Sequence, residues 1–375
     1  MEEKEYVVKK GSNNGYALAV IIAAFTGAIA MYLLVYFVLP TGTPNTVINR
    51  SEKEVTVTDA GIADAVEKLY DAVVVVNVYK NNALSASGTG FVYKKSDGKA
   101  YIITNNHVIN SSGATSVKVV FTNGSEEEVK VEGADVYSDL AVLSLDENKA
   151  STVAEIGDTS VLRLGDTVFT IGAPLSTDYY WSVTRGVLSG KDRMVEVNLT
   201  NSNMSDYVLK VLQTDASINS GNSGGPLANS NGQVIGITNM KLVSSGVEGM
   251  GFAIPIEDAV EFADAIISGK SVVRPQLGVG LINLNDTWAL YVNRVSVSTE
   301  LTEGVVVGSI VSGGPSEKSG LQKGDIIIAI DNDKVKNAAT LRYYLFKHSV
   351  GDTVKVTIER NGKTEEVNVT LTAAN

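Results

Sequence analysis

The stretch on which this chain's reading turns is Gly221-Asn222-Ser223-Gly224-Gly225-Pro226-Leu227. A nucleophilic serine needs its Oγ exposed on a tight turn, and a backbone able to aim N–H groups at a developing oxyanion. Glycines on both sides permit the dihedral angles this demands. Taken alone, the string reads equally well as a glycine-rich hairpin turn. Further out, the chain has two histidines, His107 and His348. His107 lies in Thr104-Asn105-Asn106-His107-Val108-Ile109, where an apolar strand meets a turn, and it precedes Ser223 as a His…Asp…Ser order requires. Between them, Asp139 in Tyr137-Ser138-Asp139-Leu140-Ala141-Val142-Leu143 stands at the mouth of an alternating strand, so its backbone is held. Asp135 sits in a looser stretch, Asp146 begins a charged turn, and Asp166 reads as a surface turn residue. Asp215 lies so close to Ser223 in sequence that a structural role suits it better.

The text around these residues is strand-like. From the β-branched run at 72–78 to Ile254, short apolar segments (90–93, 101–104, 117–121, 140–145, 168–171, 234–237) alternate with Gly, Asn, Asp and Ser turns. No long amphipathic helix interrupts them, which argues an all-β barrel or sandwich. Short helices bracket this region at 60–70 and 256–267. A junction at 271–275 follows. The remainder mixes strands (304–310, 325–330, 353–358, 366–371) with a helix near 338–346, an α+β pattern. The expected domains are thus 60–270 and 275–375.

The chain has 375 residues, 31 basic against 42 acidic side chains for a net charge of -11, and no cysteine. The acidic balance argues against nucleic acid as a partner. Lack of cysteine excludes disulfides, a thiol nucleophile and thiolate metal sites. No metal or cofactor is called for. Residues 16–39 (YALAVIIAAFTGAIAMYLLVYFVL) are 24 residues without a charge. As a helix they would reach roughly 36 Å, enough for a hydrocarbon core of about 30 Å. Lys4, Lys9 and Lys10 precede the segment, and the first basic residue after it is Arg50. The expectation is a single transmembrane anchor with 1–15 cytoplasmic, a tether at 40–59, and the remainder extracytoplasmic.

Taken together, the strings resemble the HtrA/Deg family of trypsin-like proteases: Gly88-Thr-Gly-Phe91, Thr104-Asn-Asn-His-Val108, Ser138-Asp-Leu-Ala141, Ile171-Gly-Ala-Pro174, Gln213-Thr-Asp-Ala-Ser-Ile-Asn219, Gly221-Asn-Ser-Gly-Gly225 and Gly249-Met-Gly-Phe-Ala-Ile-Pro255. The resemblance implies a chymotrypsin-like pair of six-stranded β-barrels, with His107, Asp139 and Ser223 as the triad. It gives Gly221 and Ser223 as oxyanion-hole donors. Ser220 stands where proline is common in the family. Asn222 replaces the aspartate with which zymogen-type relatives bind a newly cut N-terminus, so activation by N-terminal cleavage is not expected.

Ser217, in place of a carboxylate, implies a neutral first subsite and cleavage after small or medium apolar residues. Thr238-Asn239-Met240 would pair with the substrate backbone. Residues 189–206 would be a sensor loop. The C-terminal region resembles a PDZ domain, with Leu277-Gly278-Val279 as a carboxylate-binding loop for peptide C-termini and His348 at a solvated helix end. The implied assembly is a homotrimer. The expected task is quality control or stress response on unfolded or membrane-proximal proteins. The alternatives are a regulatory protease cutting one membrane signalling protein, or a peptide-binding chaperone or scaffold.

Overall fold

The computed structural model describes residues 14–37, 59–110, 113–173, 179–197, 207–239, 249–269, 273–297 and 299–374. They fall into two compact units, Met1–Thr56 and Val57–Asn375. In the first, α1 (Asn14–Phe37) carries exposed Leu18, Ile21, Ile22, Phe25 and Ile29. Its side chains are described without a break only over 18–34, and no helix among the described residues is long and apolar enough to cross a membrane. The expected crossing therefore remains an expectation, and the tether lies almost wholly outside the described residues.

The second unit begins with α2 (Asp59–Tyr70), one residue earlier than expected, and its Ile62, Ala65 and Leu69 are buried. Seven strands follow: β1 (Val73–Lys80), β2 (Ala83–Ser96), β3 (Lys99–Asn105), β4 (Ser116–Val120), β5 (Glu126–Glu128), β6 (Lys130–Asp135) and β7 (Leu140–Asp146), with the one-turn helix α3 (Asn106–Ile109) after β3. Their order is β5-β4-β1-β2-β3-β7-β6. The resemblance implied six strands. The difference lies at Val129, where the run 126–135 bends, its first part pairing with β4 and its second with β7. One broken strand thus serves both edges of the sheet. The next six strands, β8 (Thr167–Gly172), β9 (Ser182–Val197), β10 (Tyr207–Thr214), β11 (Pro226–Asn229), β12 (Val234–Thr238) and β13 (Gly251–Pro255), close a barrel as expected. The helix α4 (Ile256–Ile267) follows.

Period-two alternation explains why these strands read as unbroken apolar runs. Val74, Val76, Ile102, Ala141 and Leu143 fill the interior of the first sheet, and Val168, Leu188, Leu212, Leu227 and Ile235 fill the closed barrel. Their neighbours in sequence point the other way. Val73, Phe91, Ile103, Leu140 and Val142 meet Phe169, Ile171, Val234, Ile237 and Ile254 in one continuous core between the two sheets. That seam is where residues from both halves can be brought together.

The C-terminal domain comprises β14 (Pro275–Gln276), β15 (Val279–Asn283), α5 (Thr287–Val292), β16 (Val305–Ile310), α6 (Pro315–Ser319), β17 (Ile326–Ile330), β18 (Asp333–Lys334), α7 (Ala338–Leu345), β19 (Thr353–Arg360), β20 (Lys363–Thr370) and β21 (Thr372–Ala373). The main sheet runs β15-β16-β17-β19-β20, with β18 paired to β17, so β15 lies on an edge. Leu341 and Leu345 of α7 are buried in this domain's core, with the half-buried Val279 and Leu281 of β15 packed against it. Tyr343 packs against the Tyr207 and Leu209 cluster of the closed barrel, and Phe346 packs against both that cluster and its own domain's core. The expected loop 189–206 is corrected over its first half, because 189–197 continues β9 and pairs with β10, where cross-strand bonding satisfies its backbone.

Candidate active site

Each candidate residue sits where a strand ends at the seam. His107 occupies α3, directly after β3, and Asp139 lies immediately before β7, the strand paired with β3. Two bonds lock these ends together: Asn106 N donates to the Asp139 carbonyl at 3.0 Å, and Asn105 Nδ2 donates to the same oxygen at 2.9 Å. Asp139 is buried, and its backbone is left-handed at φ 53°. Its Oδ1 accepts the His107 backbone N–H at 2.8 Å, while Oδ2 lies 2.6 Å from His107 Nδ1. This contact fixes the ring's tautomer with the proton on Nδ1, leaving Nε2 as the basic nitrogen. A third donor, Asn239 Nδ2, reaches Asp139 Oδ2 at 2.8 Å from the end of β12.

Ser223 is buried, on a turn held by the opposite sheet. Thr89 in β2 donates its N–H to the Ser223 carbonyl at 2.9 Å and its hydroxyl to the Gly221 carbonyl at 2.6 Å. Gly224 has φ 85°, and a Cβ there would stand 2.2 Å from the Thr89 carbonyl oxygen, so only glycine fits. Gly221 also takes a positive φ, 104°. At Gly88 an added Cβ would meet Val108, the neighbour of His107, at 2.7 Å and the Ser223 carbonyl at 3.1 Å. The absence of a side chain at Gly88 therefore lets the histidine and serine segments approach.

Asn222 is wholly buried, donates Nδ2 to the Ser217 carbonyl at 3.4 Å, and has no partner for Oδ1 among the described residues. Ser217 is exposed, its carbonyl also accepting from Thr184 Oγ1 at 2.8 Å. Asp215 accepts the Val187 N–H at 2.6 Å, in line with the structural role expected of it.

The pairing expected of Thr238-Asn239-Met240 needs correction at Thr238. Thr238 is buried, its N–H donates to Gly225, its carbonyl accepts from Gly224, and its hydroxyl donates to the Asn222 carbonyl at 2.6 Å. Asn239 gives its N–H to Phe252 and its side chain to Asp139, and Met240 lies outside the described residues. Thr238 thus spends both backbone groups inside the site, whereas neither of these Asn239 bonds involves its carbonyl, the group a substrate N–H would meet. Thr89 and Asn105 were missed as site residues, and Asn239, expected to meet the substrate backbone, also holds Asp139. Both missed residues had a local signal, Asn105 two residues before His107 and Thr89 inside the Gly88–Phe91 string.

In the C-terminal domain, Leu277 is buried and its carbonyl accepts from Ser316 N at 3.2 Å, while the Gly278 carbonyl accepts from Val311 N at 2.9 Å. Gly278 has φ 72°, and a Cβ there would meet Pro315 at 2.8 Å. His348 Nε2 lies 3.2 Å from Asp331 Oδ2 and is partly exposed, so the expected solvated end also contacts a carboxylate.

Residues 88–237 match the family model of the trypsin-like peptidase domain, and 275–371 that of the PDZ domain. The chain is 42% identical over 298 residues to the serine protease Do-like HtrA of Lactobacillus helveticus, covering 78% of this chain and 70% of the relative. It is 43% identical over 282 residues to the Bacillus subtilis protein of the same description, covering 74% of this chain and 62% of that one. Among solved structures, the serine endoprotease from Yersinia pestis superposes with a TM-score of 0.62 at 30% identity, over 84% of this chain and 98% of that one. With a paired His–Asp, a clamped serine turn and this order of domains, the chain belongs to the HtrA family of trypsin-like serine proteases.

Proposed function

We propose that the chain is a membrane-anchored endopeptidase that cleaves unfolded or membrane-proximal proteins on the extracytoplasmic side, with His107, Asp139 and Ser223 as its triad. The observation that carries this reading is the His107 Nδ1–Asp139 Oδ2 contact of 2.6 Å beside a serine turn clamped by Thr89. Ser223 Oγ adds to the scissile carbonyl while its proton passes to His107 Nε2. The new oxyanion is met by the N–H groups of Gly221 and Ser223. The imidazolium returns that proton to the leaving amine as the C–N bond breaks. Water then repeats the sequence on the acyl-enzyme and frees Ser223.

An apolar residue before the scissile bond is supported by exposed, uncharged Ser217 and by an Asp215 carboxylate already bound to Val187. Peptide C-termini suit the Leu277–Val279 loop: with its carbonyls bonded inside the domain, its N–H groups are placed to take a carboxylate, and a peptide can extend the edge strand β15. The anchor is supported by exposed apolar side chains along α1, which call for an apolar surrounding. A homotrimer is the assembly we assign, and mass measurement of the detergent-solubilised chain checks it.

The deciding experiment compares the intact chain with Ser223→Ala on an unfolded model protein and on a membrane proteome. Cleavage of many unfolded chains by the intact enzyme, abolished in Ser223→Ala, is the expected result. A single membrane substrate would favour the regulatory protease, and undiminished hydrolysis by Ser223→Ala would overturn the triad.

A further inference from the structure

Asp139 holds an unfavourable backbone. The left-handed region is unfavourable for a residue other than glycine, so the turn that carries it is held from outside. Within that turn, Asp135 Oδ2 accepts the Ser138 N–H at 2.7 Å and the Ser138 hydroxyl at 2.7 Å. The same oxygen takes Arg274 Nη2 at 2.5 Å, and both side chains are largely buried, at 10% and 22% exposure. Arg274 belongs to the connection between the protease and PDZ domains. Its guanidinium lies over the Phe346 ring, 4.9 Å from the centroid, and Phe346 is the C-cap residue of α7. That ring also packs edge-on against Tyr137, at 5.2 Å, and lies tilted against Tyr207, at 5.5 Å. The turn 135–139 is therefore gripped twice from the PDZ side, once through a carboxylate and once through Tyr137.

We propose that Asp135 and Arg274 are positioning residues for Asp139, and that Phe346 completes a clamp through which α7 sets the orientation of the catalytic carboxylate. The inference depends on the triad reading above. The chemistry is specific. Asp135 uses one oxygen for three donors, so Ser138 and Arg274 share an acceptor, and losing the cation frees the carboxylate to rotate away from Ser138. Arg274 has no partner for Nε among the described residues, so its place is set by Asp135 and the aromatic ring. The clamp acts within a single chain and needs no neighbouring copy. A mere adhesive patch between domains would show the same contacts, but breaking it would leave the turnover of folded enzyme unchanged.

The test uses the full-length chain in detergent, with active sites counted by a serine-reactive phosphonate so that rates refer to folded enzyme. Asp135→Asn and Arg274→Gln should each lower kcat on a small reporter peptide about 10-fold or more, with KM changed less than about twofold, because misplacement of a catalytic group acts on the transition state. The downfield proton resonance of His107 Nδ1–H should shift or broaden in both variants. Arg274→Lys, which keeps the ion pair, should recover most of the rate. The double variant should be no slower than the slower single variant. If Asp135→Asn fails to fold, Arg274→Gln and Phe346→Leu decide. Unchanged kcat per titrated site with an unmoved resonance would overturn the clamp, as would independent, additive effects. Activity surviving in Ser223→Ala would instead overturn the triad itself.

Discussion

Three N–H groups converge on the Asp139 carboxylate, from the His107 backbone, the His107 ring and the Asn239 amide. They fix its plane, and through it the plane of the imidazole. Asp139→Asn replaces an acceptor with a donor opposite Nδ1–H and stabilises the wrong tautomer, so kcat should fall about 10⁴-fold in steady-state assays. Asn239→Ala removes one restraint and keeps the acceptor, so a smaller loss of about 10-fold in kcat is expected, partly restored in Asn239→Ser. Asn222→Asp would place an unpaired carboxylate in a wholly buried site, and its thermal unfolding should show a loss of about 3 kcal/mol or more. The meeting of His107 with Asp139 near the Ser223 turn was legible because each residue sits in a short, distinctive string. Asp135 was misjudged as loose because its partner Arg274 is 139 positions away in sequence, beyond any local pattern.

Strand β6 ties chemistry to stability through Glu132, whose carboxyl is held at about 2, below its ordinary 4.5, by hydrogen bonds from Lys130, Lys99 and Ser144. A depressed folded-state value stabilises the fold above the unfolded value, and that contribution is lost as pH falls. Glu132→Gln should therefore melt below the parent at pH 7, with the gap closing between about 4.5 and about 2; a gap constant across that window would refute the assignment. Strand positions were readable because each apolar run is buried on both faces, one in a sheet interior and one in the seam. The bend at Val129 and the continuation of β9 through 189–197 were not, since both depend on which strand lies alongside. Thr238 was misread for the same reason: the end of β12 looks like any strand end until the serine turn is beside it.

For the molecule as a unit, protease added outside intact cells should digest residues C-terminal to α1 and spare the N-terminus. Protection of the catalytic domain would reverse the proposed orientation. Domain order and the kind of each domain could be read from sequence, because each carries its own motifs. The junction between them could not, since Arg274, Phe346 and Tyr207 acquire meaning only in contact. Burial holds the Tyr207 phenol up at about 12, so it stays neutral at physiological pH and the junction keeps its aromatic character. Finally, the site closes over Asn222, an uncharged residue that no freed amino terminus can pair with. On the proposed reading, in which no cleavage activates the chain, the enzyme would keep no chemical record of having been switched on, and its output would fall as soon as the signal that orders it is withdrawn.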